Sequence, residues 1–186
     1  MPVQKITKEE ILKKSIDVFR SKGYHNTSMQ DLAETCGLLK GSFYHYFQSK
    51  EALMKELLVG VNNYMKAKIF SIAYDESLAP KEKLEQMLKK MGRFLLERDG
   101  GCIVGNTTLE TSGLFYEFEP VLKNIFTEWI DALKHIFDES GKPAEVSLKL
   151  AQQSIMELEG AVMLTKLYGN RDLLVDAFNR TIQKLD

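Results

Sequence analysis

The chain has 186 residues, enough for one large domain or for a small domain joined to a larger one. Hydrophobic residues make up 44%, enough for a proper core, and charged residues 27%; with only four Pro and twelve Gly, no long irregular region is expected. A net charge of −1 hides an asymmetry: residues 1–50 hold eight Lys/Arg against five Asp/Glu, the remainder 17 against 21, so a polyanion is drawn to the N-terminal part.

No apolar run reaches the roughly 18 residues of a membrane span. The opening MPVQKITKEE lacks the apolar core of a secretory signal. Cys36 and Cys102 form neither a disulfide framework nor a zinc cluster. The expected home is the reducing cytoplasm, with no membrane partner, metal or cofactor.

Nearly every segment has helical periodicity. Thr7 and Glu10 spell a capping box, and Leu12, Ile16 and Phe19 line one face of a first helix that Lys22 and Gly23 close. Thr27 or Ser28 starts a second helix with Met29, Leu32, Ala33 and Cys36 on one side, ended by Gly37. A short third helix spans about residues 39–46. Ser49 caps a fourth that is expected to continue to Ile72, giving about 25 residues and about 37 Å.

Pro80 opens a fifth helix with Leu84, Leu88, Met91 and Leu95 as its stripe. After Gly100-Gly101, Thr107 and Glu110 are expected to cap a short sixth. Pro120 to Asp138 forms the seventh, Pro143 to Tyr168 the eighth, and Arg171 to Leu185 the ninth. The predicted class is all-α. A helix-turn-helix domain over 1–48 precedes a helical bundle over 49–186.

The run CGLLKGSFYHYFQSK sets the function. Met29, Leu32, Ala33, Cys36, Phe43 and Phe47 supply a small core, which leaves Lys40, Ser42, Tyr44, His45 and Tyr46 to project outward. Lysine and hydroxyls suit phosphates and base edges, and Gly41 lets a backbone come close. Lys50, in the first turn of the fourth helix, opposes the helix dipole unless a phosphate docks there.

The run from Thr27-Ser28 through Asp31-Leu32-Ala33, Gly37 and Lys40 to Phe47, then Ser49 to Leu53, resembles the DNA-binding signature of TetR-family transcriptional regulators. That resemblance implies a homodimer on a palindromic double-stranded operator and a small-molecule pocket in the C-terminal domain. By position, Thr27, Ser28, Tyr44 and Lys50 would contact phosphate, and Lys40, Gly41, Ser42 and His45 would face the groove. Leu39 stands where the family often places a capping Ser or Thr, so no side-chain cap is expected there.

Met91, Phe94, Phe115, Phe118, Phe126 and Trp129 are candidates to line the implied pocket, or are simply packed core. Tyr64, Thr108, Thr111 and Glu157 are candidates for polar specificity. Cys102, in a Gly-Gly-Cys turn that resembles a sub-group of the family with electrophile-responsive regulators, is either a thiol sensor or a quiet packed thiol. Only Arg98 stands near it in sequence as a cation.

Helix eight carries Ser154, Gly160 and Ala161 among Ile155, Leu158 and Val162, small residues that let another helix approach. With Leu173 and Phe178 of helix nine, they make the expected dimer interface. The expected mechanism is repression released by a ligand that favours another bundle shape. His25, His45 and His135 are scattered and no nucleophile motif is present, so no enzyme activity is expected. A helical interaction protein without DNA binding is the remaining rival.

Overall fold

The computed structural model describes residues 6–96 and 100–186. Among these, every regular element is helical: α1 Lys8–Lys22, α2 Met29–Thr35, α3 Lys40–Phe43, α4 Lys50–Lys68, a 3₁₀ turn Phe70–Tyr74, α5 Pro80–Leu96, α6 Ile103–Thr111, α7 Glu119–Glu139, α8 Ala144–Tyr168 and α9 Asp172–Gln183. The all-α expectation therefore holds. The chain forms two compact units, one of Met1–Val61 with Ile103–Leu122 and one of Asn62–Cys102 with Lys123–Asp186.

The first unit is set by local signals. Thr7 accepts from the Glu10 amide and the Glu10 carboxylate accepts from the Thr7 amide, the reciprocal cap that the sequence spells. Ser28 and Asp31 repeat the device at α2. Ser49 accepts from the Ala52 amide at the start of α4. Leu39 precedes α3 without a side-chain cap, as expected. Gly23 ends α1 at φ 79°, and a Cβ there would stand 2.8 Å from the Glu110 carboxylate of α6. The backbone conformation thus requires glycine. Met29, Leu32, Ala33, Cys36, Phe43 and Phe47 are all buried.

Two expectations are corrected. The fourth helix does not run to Ile72: α4 ends at Lys68 and the chain tightens into the 3₁₀ turn. Residues three apart eclipse in such a turn. Ile69 with Ile72, and Phe70 with Ala73, therefore form two short rows, and all four are buried. The sixth helix does not start from a Thr107–Glu110 cap. Gly100 and Gly101, at φ 110° and 80°, release the chain so that α6 begins at Ile103. Thr107 is buried within the helix, and the Thr108 and Thr111 hydroxyls donate to carbonyls four residues back, Val104 at 2.8 Å and Thr107 at 2.6 Å. A Thr-x-x-Glu spacing recurs inside helices as readily as at their starts.

In the second unit, α8 and α9 pack along each other, and α5 packs on the 3₁₀ turn and on α9. The predicted stripe of α5, Leu84, Leu88, Met91 and Leu95, is buried. Phe178 of α9 lies over Gly92, where a Cβ would stand 2.8 Å from its ring. Lys83 is buried and its ammonium donates to Glu139 at 2.5 Å. Gly169, at φ 65°, ends α8 in the left-handed conformation.

Candidate nucleic-acid interface

The first unit gives the sequence-predicted residues unequal exposure and unequal tasks. Lys40, Gly41, Ser42, Tyr44 and His45 are exposed on α3 and the turns that continue it, with Tyr44 at 41%. Phe43 and Phe47 anchor the opposite side. A Cβ added at Gly41 would meet nothing within 4 Å, so the chain's own packing does not call for a glycine there. In a helix that glycine costs about 1 kcal/mol relative to Ala.

The neighbouring polar groups are occupied by the protein. Thr27 is buried, with its hydroxyl donating to the Gly23 carbonyl at 2.6 Å. The Ser28 hydroxyl donates to Asp31 at 2.6 Å, and so does the Ser28 amide at 2.8 Å. These donors are spent on turns and caps, whereas a phosphate oxygen needs donors. Tyr46 is half-buried, and its hydroxyl donates to the Ile6 carbonyl at 3.0 Å. With Lys22 and Ser28 donating to it, Asp31 is held well below the usual carboxylate range.

Lys50 is half-buried. Its ammonium donates to the Tyr24 carbonyl at 2.7 Å and lies 4.3 Å from the centroid of the Tyr24 ring. Burial pushes its pKa down, against the upward pull of Glu51 and Glu110. An ammonium has three donors, so two remain for a phosphate at the head of α4.

Tyr24 is the residue that sequence reasoning missed. It is buried, its hydroxyl donates to Glu51 at 2.9 Å, and its ring meets Phe115 and Phe118 edge-on at 5.2 and 5.4 Å. Burial, then the Glu51 carboxylate, pushes its phenol far up. Next to it, His25 donates from its amide to the Glu110 carboxylate at 3.2 Å and from its ring to the Glu110 carbonyl at 2.9 Å. No periodicity marks such a hub, because its partners Lys50, Glu51, Phe115 and Phe118 come from distant parts of the chain.

The residues expected around a ligand fall into both units. Thr108, Thr111 and Phe115 belong to the first, where Phe115 packs on Tyr24. Tyr64, Met91, Phe94, Cys102, Phe126 and Trp129 belong to the second. There Tyr64 stacks on Phe94 at 5.9 Å and Phe126 on Trp129 at 6.3 Å. Glu157 is engaged by Arg180 and by Lys184 at 3.1 Å. Cys102 is buried, and its thiol bonds to Glu159, whose carboxyl burial pushes up. Arg98 lies outside the described residues.

Of the residues expected at a dimer interface, Ile155, Leu158 and Val162 are buried inside the chain, and Leu173 and Phe178 are half-buried. The outer side of α8 instead exposes Met156 at 66%, Met163 at 61% and Leu167 at 70%, with Gly160 among them. That spacing of i, i+4, i+7 and i+11 keeps all four on one stripe. Of the residues named from the sequence, Gly160 thus lies on the outer stripe while Ile155, Leu158 and Val162 face inward, a division that the apolar pattern of the helix alone does not reveal.

Two family models match the chain. Residues 11–57 match the bacterial regulatory proteins of the tetR family, and residues 80–180 match the C-terminal domain of LmrA/YxaF-like transcriptional regulators. The chain belongs to the TetR family. It is a DNA-binding transcriptional regulator. It is 31% identical to an HTH-type transcriptional regulator encoded in the lacX 3′ region of Lactococcus lactis subsp. lactis, over 96% of each chain. It is 27% identical to the HTH-type transcriptional repressor DhaR of Mycobacterium sp. (strain GP1), over 90% of this chain and 86% of that one. The TetR transcriptional regulator of Legionella pneumophila superposes with a TM-score of 0.89 at 26% identity, covering 100% of both chains. Among the described residues of this TetR-family chain, no helix is long and apolar enough to cross a membrane.

Proposed function

We propose that this regulator is a repressor, that it grips a palindromic operator as a homodimer, and that a small molecule bound in its C-terminal part releases it. The observation that carries the DNA contact is the exposed polar side of α3 with a bare glycine at its centre. In this reading Lys40, Ser42 and His45 face base edges and Gly41 admits the duplex backbone. Tyr44 and the two spare donors of Lys50 grip phosphates. Thr27, Ser28 and Tyr46 brace the surface from behind.

The dimer reading rests on the exposed stripe of α8, which a second copy would cover about a two-fold axis. Two recognition helices must then lie one turn of DNA apart, about 34–36 Å. A ligand that prefers a different separation lowers operator affinity by no more than its differential affinity for the two forms.

The test is titration of a labelled palindromic operator with wild type and Tyr44→Ala. The variant is expected to bind about tenfold more weakly with an unchanged circular dichroism spectrum, and wild-type affinity is expected to fall steeply with salt. Equal binding by the two proteins, or affinity indifferent to salt, overturns the assignment.

A further inference from the structure

The second unit carries a groove of about 410 Å³ at the end of α4, lined by Lys66, Phe70, Ser71, Tyr74, Glu128 and Asp131. None of the residues named for a ligand from the sequence lines it. Its volume is that of a small-molecule site.

The charges are unbalanced. The Lys66 ammonium donates to Oε1 of Glu128 at 2.7 Å. Oε2 of Glu128 is buried and has no hydrogen-bond partner among the described residues. Asp131 adds a second carboxylate on the same side of α7, at i+3 from Glu128. One cation therefore faces two anions. The remaining walls are Ser71 and two aromatic residues, Phe70 and Tyr74. The Phe70 ring is stacked at 6.4 Å on Trp129, and the Tyr74 ring sits 4.7 Å from that of His135. Burial, then Asp131 and Glu128, pushes the Tyr74 phenol up, which is the response expected in a negative local potential.

We propose that this groove binds a small organic cation with an apolar body. Its charge sits beside the Glu128 and Asp131 carboxylates, and its body lies against the exposed Tyr74 ring, with buried Phe70 as the floor. Aromatic faces attract cations, and two carboxylates that share one ammonium favour a further positive charge. An anion of the same shape would meet two carboxylates, and a neutral one would leave their excess charge unbalanced.

Trp129 is the chain's single tryptophan and touches the groove's floor through Phe70, so its fluorescence reports occupancy. The experiment titrates the full-length protein, without DNA, with benzyltrimethylammonium, benzyl alcohol and phenylacetate. The ammonium probe is expected to bind with a saturable change and the other two at least about fivefold more weakly. Asp131→Asn is expected to weaken the ammonium probe about three- to tenfold, and Tyr74→Leu about two- to fivefold. Lys66→Met is expected to tighten it, because that ammonium already holds one oxygen of Glu128.

Thermal melts separate these effects from unfolding. Equal binding of the three probes, no binding of the ammonium, unchanged binding in Asp131→Asn, or weaker binding in folded Lys66→Met overturns the proposal. Adding operator afterwards asks a separate question. A probe that binds but leaves operator affinity unchanged removes the groove from operator release while the cation site stands.

Discussion

The recognition segment and α8 each carry an exposed face with a glycine at its centre, and the two faces are opposites. Around Gly41 stand Lys40, Ser42, Tyr44 and His45; around Gly160 stand Met156, Met163 and Leu167. Neither glycine is required by the chain itself, since a Cβ at either would meet nothing within 4 Å. Each weakens its helix for no internal return. A bare glycine on a polar face suits a polyanion approaching closely, and one on an apolar face suits another helix. On the proposed reading, the surroundings of a missing side chain, more than its absence, point to the class of partner.

The comparison breaks most visibly at α8. Replacing Met163 and Leu167 together by Asp puts two charges on the stripe, and dimer dissociation measured by sedimentation is expected to rise at least about a hundredfold. A dimer that survives this double substitution would remove the apolar half of the contrast.

Gly41→Ala tests the polar half with two readouts of opposite sign. Thermodynamic stability should rise by about 0.5–1 kcal/mol, because the native position is helical and open. Operator affinity should fall about fivefold, because the added methyl stands where the duplex approaches. A rise in both would mean that the glycine admits nothing.

The inner side of α8 offers a smaller effect. The Glu159 pKa is raised by burial, so the native state holds its proton to higher pH than the unfolded chain does. Stability from this group is therefore full below the unfolded carboxylate value and declines as pH rises through the folded one. Glu159→Gln should flatten that decline and leave the protein more stable at neutral pH, as chemical denaturation at several pH values would reveal.

Gly60→Ala on α4 gives the smallest expected change. This glycine is equally open but stands among Glu56, Asn63 and Tyr64, a mixed surface. A gain of up to about 1 kcal/mol with unaltered dimer and operator binding would sharpen the rule, since openness alone would then have no functional cost.

The fold was legible wherever a few adjacent residues decide the outcome. Thr7 with Glu10, Ser28 before Asp31, Ser49 before Ala52, and Gly23, Gly37 and Gly169 place helix ends by local hydrogen bonds and backbone preference. It was illegible wherever two solutions share one pattern. Thr107 and Glu110 fit a cap and a helix interior equally well, and only burial against the rest of the first unit decides. Ile69 to Ala73 is as apolar in a 3₁₀ turn as in a continued helix. At the site, exposure of Lys40, Ser42, Tyr44 and His45 followed from the apolar spacing. The tasks of Tyr46 and Lys50 did not, because Ile6 and Tyr24 come to them only through the folded chain, while Thr27 turns to the Gly23 carbonyl four residues earlier.

The first unit is assembled from two separated stretches, Met1–Val61 and Ile103–Leu122, with Phe115 and Phe118 of the later stretch packed on Tyr24 of the earlier one. On the ribosome, the earlier stretch emerges on the order of several seconds before the later one arrives. Until then the Tyr24 ring lacks two of its neighbours and His25 lacks Glu110. A nascent chain arrested in that interval holds Tyr24 and His25 without those partners, so the order of synthesis itself sets when the first unit can be completed.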